Sequence, residues 1–334
     1  MKKLYALLPI LAALLVPGKA SAQMLPDSTV QVVAYWEVGD QVDYLFTEEK
    51  YEINGEDETM KSSSSETVRF EVAAATDSTY TLLITSLDGF ATNLNLSDKD
   101  LAAFPPFNLR VRMSDLGEFQ ELENLDEILK ALDKMVPLFK KATLASLTPE
   151  EQKAIDKKGL EDYLRQSMAS ESFVNKILQQ YLVPFIYHGA RMDTTRTYSF
   201  MNNFEAVIGE KSLNLETRFK VDPELTDEYS VVIRQETVAD GVDIIPLLQG
   251  FLGPLAENLY SGAGRSREEV EAELSKLRLE AVFEEYNVEE IELATGWPLV
   301  WVFDRYVTVT ENGETRGAHN YKKIKILSEE GEEE

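Results

Sequence analysis

The chain holds 59 acidic side chains, two histidines and no cysteine among 334 residues, and these residue types bound the chemistry it could do. Without a thiol there is no cysteine nucleophile, no thiolate metal site and no disulfide. His188 or His319 could serve a Ser-His-Asp triad, which needs one imidazole between an acid and a hydroxyl. The strained G-x-S-x-G elbow that would present such a serine is absent, and Ser261-Gly262-Ala263-Gly264 reads as a flexible connection. His188 follows Tyr187 just after an apolar helix end, where a structural hydrogen-bonding role is expected. His319 falls on the last hairpin and is expected to be solvent-exposed. The sequence has no H-E-x-x-H, no Asp-rich calcium loop and no Gly-rich phosphate loop, so no metal or cofactor is expected.

Paired carboxylates could hydrolyse glycosides, but with 59 acids a pair in the sequence has no diagnostic value. Trp297 and Trp301 could stack on a sugar. However, Leu299, Trp301 and Phe303 alternate with Val300 and Val302, and a strand apolar on both faces is expected in a core. The more unusual segment is 244–259. Ile244, Leu247, Leu248, Phe251, Leu252 and Leu255 are set among Pro246, Gly250, Gly253 and Pro254. It reads either as a broken helix buried in the core or as the lining or lid of an apolar pocket. Met135 and Phe139, around Pro137, would supply the facing wall.

These residues need a frame and a location. Lys2 and Lys3, an apolar run from Leu4 to Val16, and Ala20-Ser21-Ala22 make a signal peptide over residues 1–22. The run is too short to span a bilayer, which takes about 20 residues. Export as a periplasmic or secreted protein is therefore expected, with no transmembrane segment after cleavage. Loss of Lys2, Lys3 and Lys19 takes the formal charge from −26 to −29. Such a surface repels nucleic acid. The end of the chain, 329–334, reads as a solvated acidic tail.

The first half, 23–190, begins with strands. Val30 to Trp36 reads as one, and Asn54-Gly55 marks a hairpin. Leu109, Val111 and Met113 alternate with Asn108, Arg110 and Arg112, the pattern of a sheet with one buried face. Leu122, Leu125, Leu129, Leu132, Val136 and Phe139 then fall on one helical stripe, which Pro137 should kink or end. Thr148-Pro149-Glu150-Glu151 starts another helix. The second half, 191–328, repeats the order: strands, a helical insert over about 243–283, and closing strands with a turn at Asn312-Gly313. The fold class is α+β, a large curved antiparallel sheet, open and barrel-like, with two helical insertions on its concave face.

Three segments are similar to uncharacterised exported proteins of Bacteroidetes: Val32-Val33-Ala34-Tyr35-Trp36-Glu37-Val38-Gly39-Asp40, the stretch from Met113 to Asn124, and Ala294-Thr295-Gly296-Trp297-Pro298-Leu299 leading to Arg305. The resemblance implies an envelope or secreted location and carries no functional residues. More loosely, the architecture resembles the open-barrel carriers of the lipoprotein-localisation type, whose helices plug an apolar cavity. Asp27-Ser28-Thr29, Asp77-Ser78-Thr79 and Asp193-Thr194-Thr195 resemble the acceptor motif of a Bacteroidetes O-glycosylation system, which would modify Ser28, Ser78 and Thr194. They also read as ordinary turn sequences. The functional expectation is a non-enzymatic binding protein for a hydrophobic small molecule or lipid. The alternatives are an envelope interaction protein with a protein partner and, behind it, a carboxylate-based glycan hydrolase.

Overall fold

A computed structural model describes residues 27–87, 108–145, 147–205, 212–227, 229–240, 279–311 and 313–327. The expected leader, the apolar segment 244–259 and the acidic tail lie outside these residues. Strands β2 (Gln41–Asn54), β3 (Asp57–Ala75), β4 (Thr79–Ser86), β5 (Asn108–Ser114) and β6 (Phe119–Leu122) step outward from the middle of a sheet to one edge. Helices α1 (Leu125–Ala145), α2 (Pro149–Ala154), α3 (Lys157–Met168) and α4 (Glu171–Leu182) follow, and a 3₁₀ turn, Val183–Phe185, ends them. The chain re-enters at the opposite edge as β8 (Thr197–Glu205). It steps back through β9 (Ser212–Val221), β10 (Ser230–Asp240), β11 (Leu279–Glu292) and β12 (Pro298–Glu311) to β13 (Glu314–Ile326), which pairs with β2. All eleven strands are antiparallel to their neighbours, and the sheet is not closed into a barrel. Strands β1 (Thr29–Gln31) and β7 (Arg191–Asp193) form a separate pair. The described residues thus form a β-rich α+β fold in which no helix is long and apolar enough to cross a membrane.

Period-two patterning places the sheet's core face. Leu109, Val111 and Met113 are fully buried, as their alternation requires, while Arg110 faces solvent. Against that face α1 sets Ile128, Leu132, Met135, Val136 and Phe139, and α4 sets Val174, Ile177, Leu178 and Tyr181. Both α3 and α4 begin at side-chain caps, Asp156 accepting from the Lys158 amide and Ser170 from the Phe173 amide. A smaller core joins Val30, Val32 and Met192 to Val231, Ile233 and Ile291.

Several local expectations are corrected. Pro137 does not end α1, which runs through it to Ala145. The buried residues on both sides, Leu132, Met135, Val136 and Phe139, hold the helix together despite the lost hydrogen bond. The first hairpin turns on Gly55-Glu56, one residue later than read, because Asn54 pairs with Asp57. Gly55, with φ +65°, opens the two-residue loop, as a type II′ turn needs. Of the segment 30–36 only Val30 and Gln31 are in a strand, β1. Val32, Ala34 and Trp36 remain alternately buried, but the backbone bonds to turns: Ala34 to the Leu116 carbonyl and Tyr35 to that of Thr295. The second helical insert cannot reach 283, since Ala281 and Phe283 already belong to β11.

The segments 32–40, 113–124 and 294–299 meet at one junction. Trp36 stacks on Trp297 at 4.5 Å, with Phe185 and His188 against them. Gly296, at φ +78°, packs onto the Val33 carbonyl so closely that a Cβ there would overlap it. The imidazole Nε2 of His188 donates to the Gly296 carbonyl at 2.7 Å, the structural role expected of it. Burial pushes its pKa down to about 4, so the ring is neutral.

Candidate functional site

Between α4 with its 3₁₀ turn and the middle of the sheet lies a cleft of about 870 Å³. Antiparallel register builds its floor in rows that run across the strands, because residues directly opposite one another point to the same face. The first row is Ile233, Glu289, Trp301, Ile324, Phe46 and Glu66, from β10 to β3. The second, one pleat on, is Gln235, Asn287, Phe303, Lys322, Glu48 and Ser64. A third sets Glu285 beside Arg305 and Asn320. Opposite them, Lys176, Gln179, Gln180, Val183, Ile186 and Tyr187 form the other wall.

Polarity is graded across these rows. Trp301, Ile324 and Phe46 make an unbroken apolar strip in the first row. At about 4.8 Å per strand, Glu289 and Phe46 are three strands, or about 14 Å, apart. The second row is mostly polar. In the third, the Arg305 guanidinium donates from Nε and Nη2 to one oxygen of Glu285, at 2.8 and 2.5 Å, and lies 4.7 Å from the Phe303 ring centre. Glu285 is buried, so the pair is charge-assisted and shielded from water on the acid's side.

Most carboxylates of the cleft have partners. Glu48 faces Lys322 at 3.4 Å, Glu66 accepts from the Tyr181 hydroxyl at 3.0 Å, and Glu285 takes Arg305. Glu289 differs. It is 1% exposed, and neither carboxyl oxygen has a hydrogen-bond partner among the described residues. Burial raises its pKa well above the usual carboxylate range. Its charge adds to burial in raising the Tyr44 and Tyr187 hydroxyls. The Asn287 Oδ1 is likewise buried and unpartnered among the described residues.

Ile244, Leu247, Leu248, Phe251, Leu252 and Leu255 lie outside the described residues. Met135 and Phe139 do not line the cleft; they lie in the packed interior, because the α1 stripe that carries them faces the sheet. Trp297 is core, whereas Trp301, though 7% exposed, floors the cleft. Ser28 and Ser78 are exposed, and Thr194 is half-buried, donating to the Ser28 carbonyl at 3.1 Å. Asp27 and Asp193 each accept from the amide and hydroxyl of the threonine two residues on, so both motifs form the turns their composition suggests.

His319 is not solvent-exposed. It is 8% exposed, on the sheet face away from the cleft, with its ring between those of Tyr51 and Tyr306. Its nitrogens meet Glu58 and Asp304, the latter at 2.6 Å. These contacts tie β3, β12 and β13 together. Among the described residues no group of three or more His, Asp or Glu could hold a metal ion.

Glu285 and Glu289 sit two pleats apart on β11, about 13 Å by strand rise. Sequence reading missed this polar set because 283, 285, 287 and 289 read Phe, Glu, Asn, Glu, while 284, 286, 288 and 290 read Glu, Tyr, Val, Glu. Neither face looks apolar, so no period of two announced the strand before Glu289, and only its end, near Glu289–Leu293, reads as a strand in the sequence.

No family model matches the chain, and no curated protein matches it. Among solved structures the chain was matched to Ail, the attachment invasion locus protein of Yersinia pestis, at 5% identity, covering 87% of this chain and 100% of that one. The TM-score is 0.14, which carries no argument about fold or function.

Proposed function

We propose that this chain is an exported, non-enzymatic binding protein of the cell envelope that carries a largely apolar ligand, such as a lipid, in the cleft beneath α4. The observation that carries the reading is the row Trp301, Ile324, Phe46: a continuous apolar strip inside a cleft of ligand size whose remaining lining is largely polar. An open sheet with a helical layer against one face supports the likeness to carriers of the lipoprotein-localisation type. The leader over 1–22 would direct export, and the three segments gathered around Trp36 would belong to an exported Bacteroidetes family.

Native mass spectrometry of residues 23–334, matured from the full chain in cells and purified gently from the envelope fraction, tests the reading. Added mass that extracts into organic solvent supports a carrier. A clean mass, or hexose-spaced additions alone, removes it in favour of an envelope interaction protein.

A further inference from the structure

The polar end of the cleft is not neutral in its preferences. Among the described residues, Glu48, Glu66 and Glu285 each have a donor within reach, while Glu289 leaves two buried oxygens unpartnered and Asn287 a third. Both residues line the cleft on the same face of β11, one pleat apart. A buried acceptor without a donor has lost its hydrogen bonds to water without replacement, and a bound ligand that supplies donors restores them. A primary ammonium presents three N–H donors and no acceptor, which matches three open acceptors. It also matches in charge. A bound cation would hold Glu289 in its ionised form; the acids lining the cleft are then Glu48, Glu66, Glu285 and Glu289, against the cations Lys176, Arg305 and Lys322, and the ammonium balances the fourth acid. The strongly acidic chain favours the approach of a cation over that of an anion.

We propose that Glu289, assisted by Asn287, is the recognition group of the cleft and takes a primary ammonium carried on an apolar chain that lies along Trp301, Ile324 and Phe46. This assignment rests on the binding reading above and names the ligand class. The apolar strip begins at Trp301, one strand from Glu289, and runs about 10 Å across the strands to Phe46, so the head and tail of such a molecule have adjoining places.

The test is calorimetric titration of the mature chain with dodecylamine, dodecanol and dodecanoate, each below its micelle concentration, on the native protein and on Glu289→Gln. The assignment expects dodecylamine to bind at least about tenfold more tightly than the other two, and Glu289→Gln to erase that preference, a loss of about tenfold or more for a charged hydrogen bond. Dodecanoate or dodecanol binding as tightly as the amine, or Glu289→Gln holding the amine unchanged, overturns the assignment and leaves the binding reading standing. If none of the three binds, both fall. Circular dichroism of Glu289→Gln guards against misfolding, and Asn287→Asp, which keeps the acceptors, should retain amine binding. A lysophosphatidylethanolamine arm separates the sources. Competition with dodecylamine at equal or lower concentration assigns a phospholipid headgroup; dodecylamine binding without such competition assigns a simple amine.

Discussion

Glu289 and Trp301 stand directly opposite one another on β11 and β12, which puts a buried carboxyl group with no protein hydrogen-bond partner among the described residues beside the indole that floors the cleft. Ile233 flanks the same acid from β10. A position so placed would pack well as an aliphatic side chain, and an acid there is a cost to the unliganded fold that a bound group can offset.

That cost has a pH signature. The folded-state pKa of Glu289 is raised, so the folded protein keeps a proton that the unfolded chain releases near the ordinary carboxylate value of 4.5. Its contribution is therefore most favourable below about pH 4.5 and is lost as pH rises through the folded-state value. The groups that feel its charge from neighbouring elements are Tyr44 on β2 and Tyr187 beyond the 3₁₀ turn, with the Glu285–Arg305 pair further along β11 and β12. Glu289→Leu should stabilise the ligand-free protein by about 1–4 kcal/mol at pH 8 and by much less at pH 4. Urea denaturation at the two pH values checks this, and an equal shift at both would count against it.

His188 predicts the opposite slope. Its ring is neutral in the fold, with a pKa of about 4 against 6.5 when free. The unfolded chain takes up a proton in that interval and the folded one does not, so stability is full above about pH 6.5 and falls as pH drops towards 4. The loss amounts to about 3 kcal/mol. Thermal unfolding across that window should show the decline, and His188→Gln should flatten it while lowering stability at pH 7 through the lost bond to Gly296.

Two glycines with similar backbones should respond differently to alanine. Gly296 at φ +78° and Gly313 at φ +86° both sit in the left-handed region, where a side chain costs about 1–2 kcal/mol. An added methyl at Gly313 meets nothing within 4 Å, whereas at Gly296 it overlaps the Val33 carbonyl. Gly313→Ala should cost about 1–2 kcal/mol and Gly296→Ala clearly more. Equal losses in denaturation midpoint would contradict the packing described around Trp36 and Trp297.

Removing the guanidinium of Arg305 strands Glu285, which is 4% exposed. Arg305→Ala should cost about 2–4 kcal/mol, and Arg305→Ala combined with Glu285→Gln should cost less than Arg305→Ala alone. A double-mutant cycle with no coupling would mean the pair is screened by water.

Much of the frame was legible because it depends on local patterning. The alternation of Leu109, Val111 and Met113 and the stripe of Leu132, Val136 and Phe139 each state a period that burial then obeys. Pro137 does not end α1 because its penalty is local while the packing that overrides it is tertiary. His319 misled because a hairpin position says nothing of the tyrosines that neighbouring strands bring over it. The cleft was least legible. Its floor consists of rows across six strands, so Ile233 and Glu66 share a row only through five pairings, one of which joins Ile324 near the end of the chain to Phe46 near its start.

The most direct test of the account is a crystal structure of the protein matured in cells and purified from the envelope without detergent exchange. The account predicts continuous density beneath α4 along Trp301, Ile324 and Phe46, with a donor atom within hydrogen-bond distance of Glu289. Water alone in a cleft of unchanged shape, or side chains collapsed into it, would contradict a carrier.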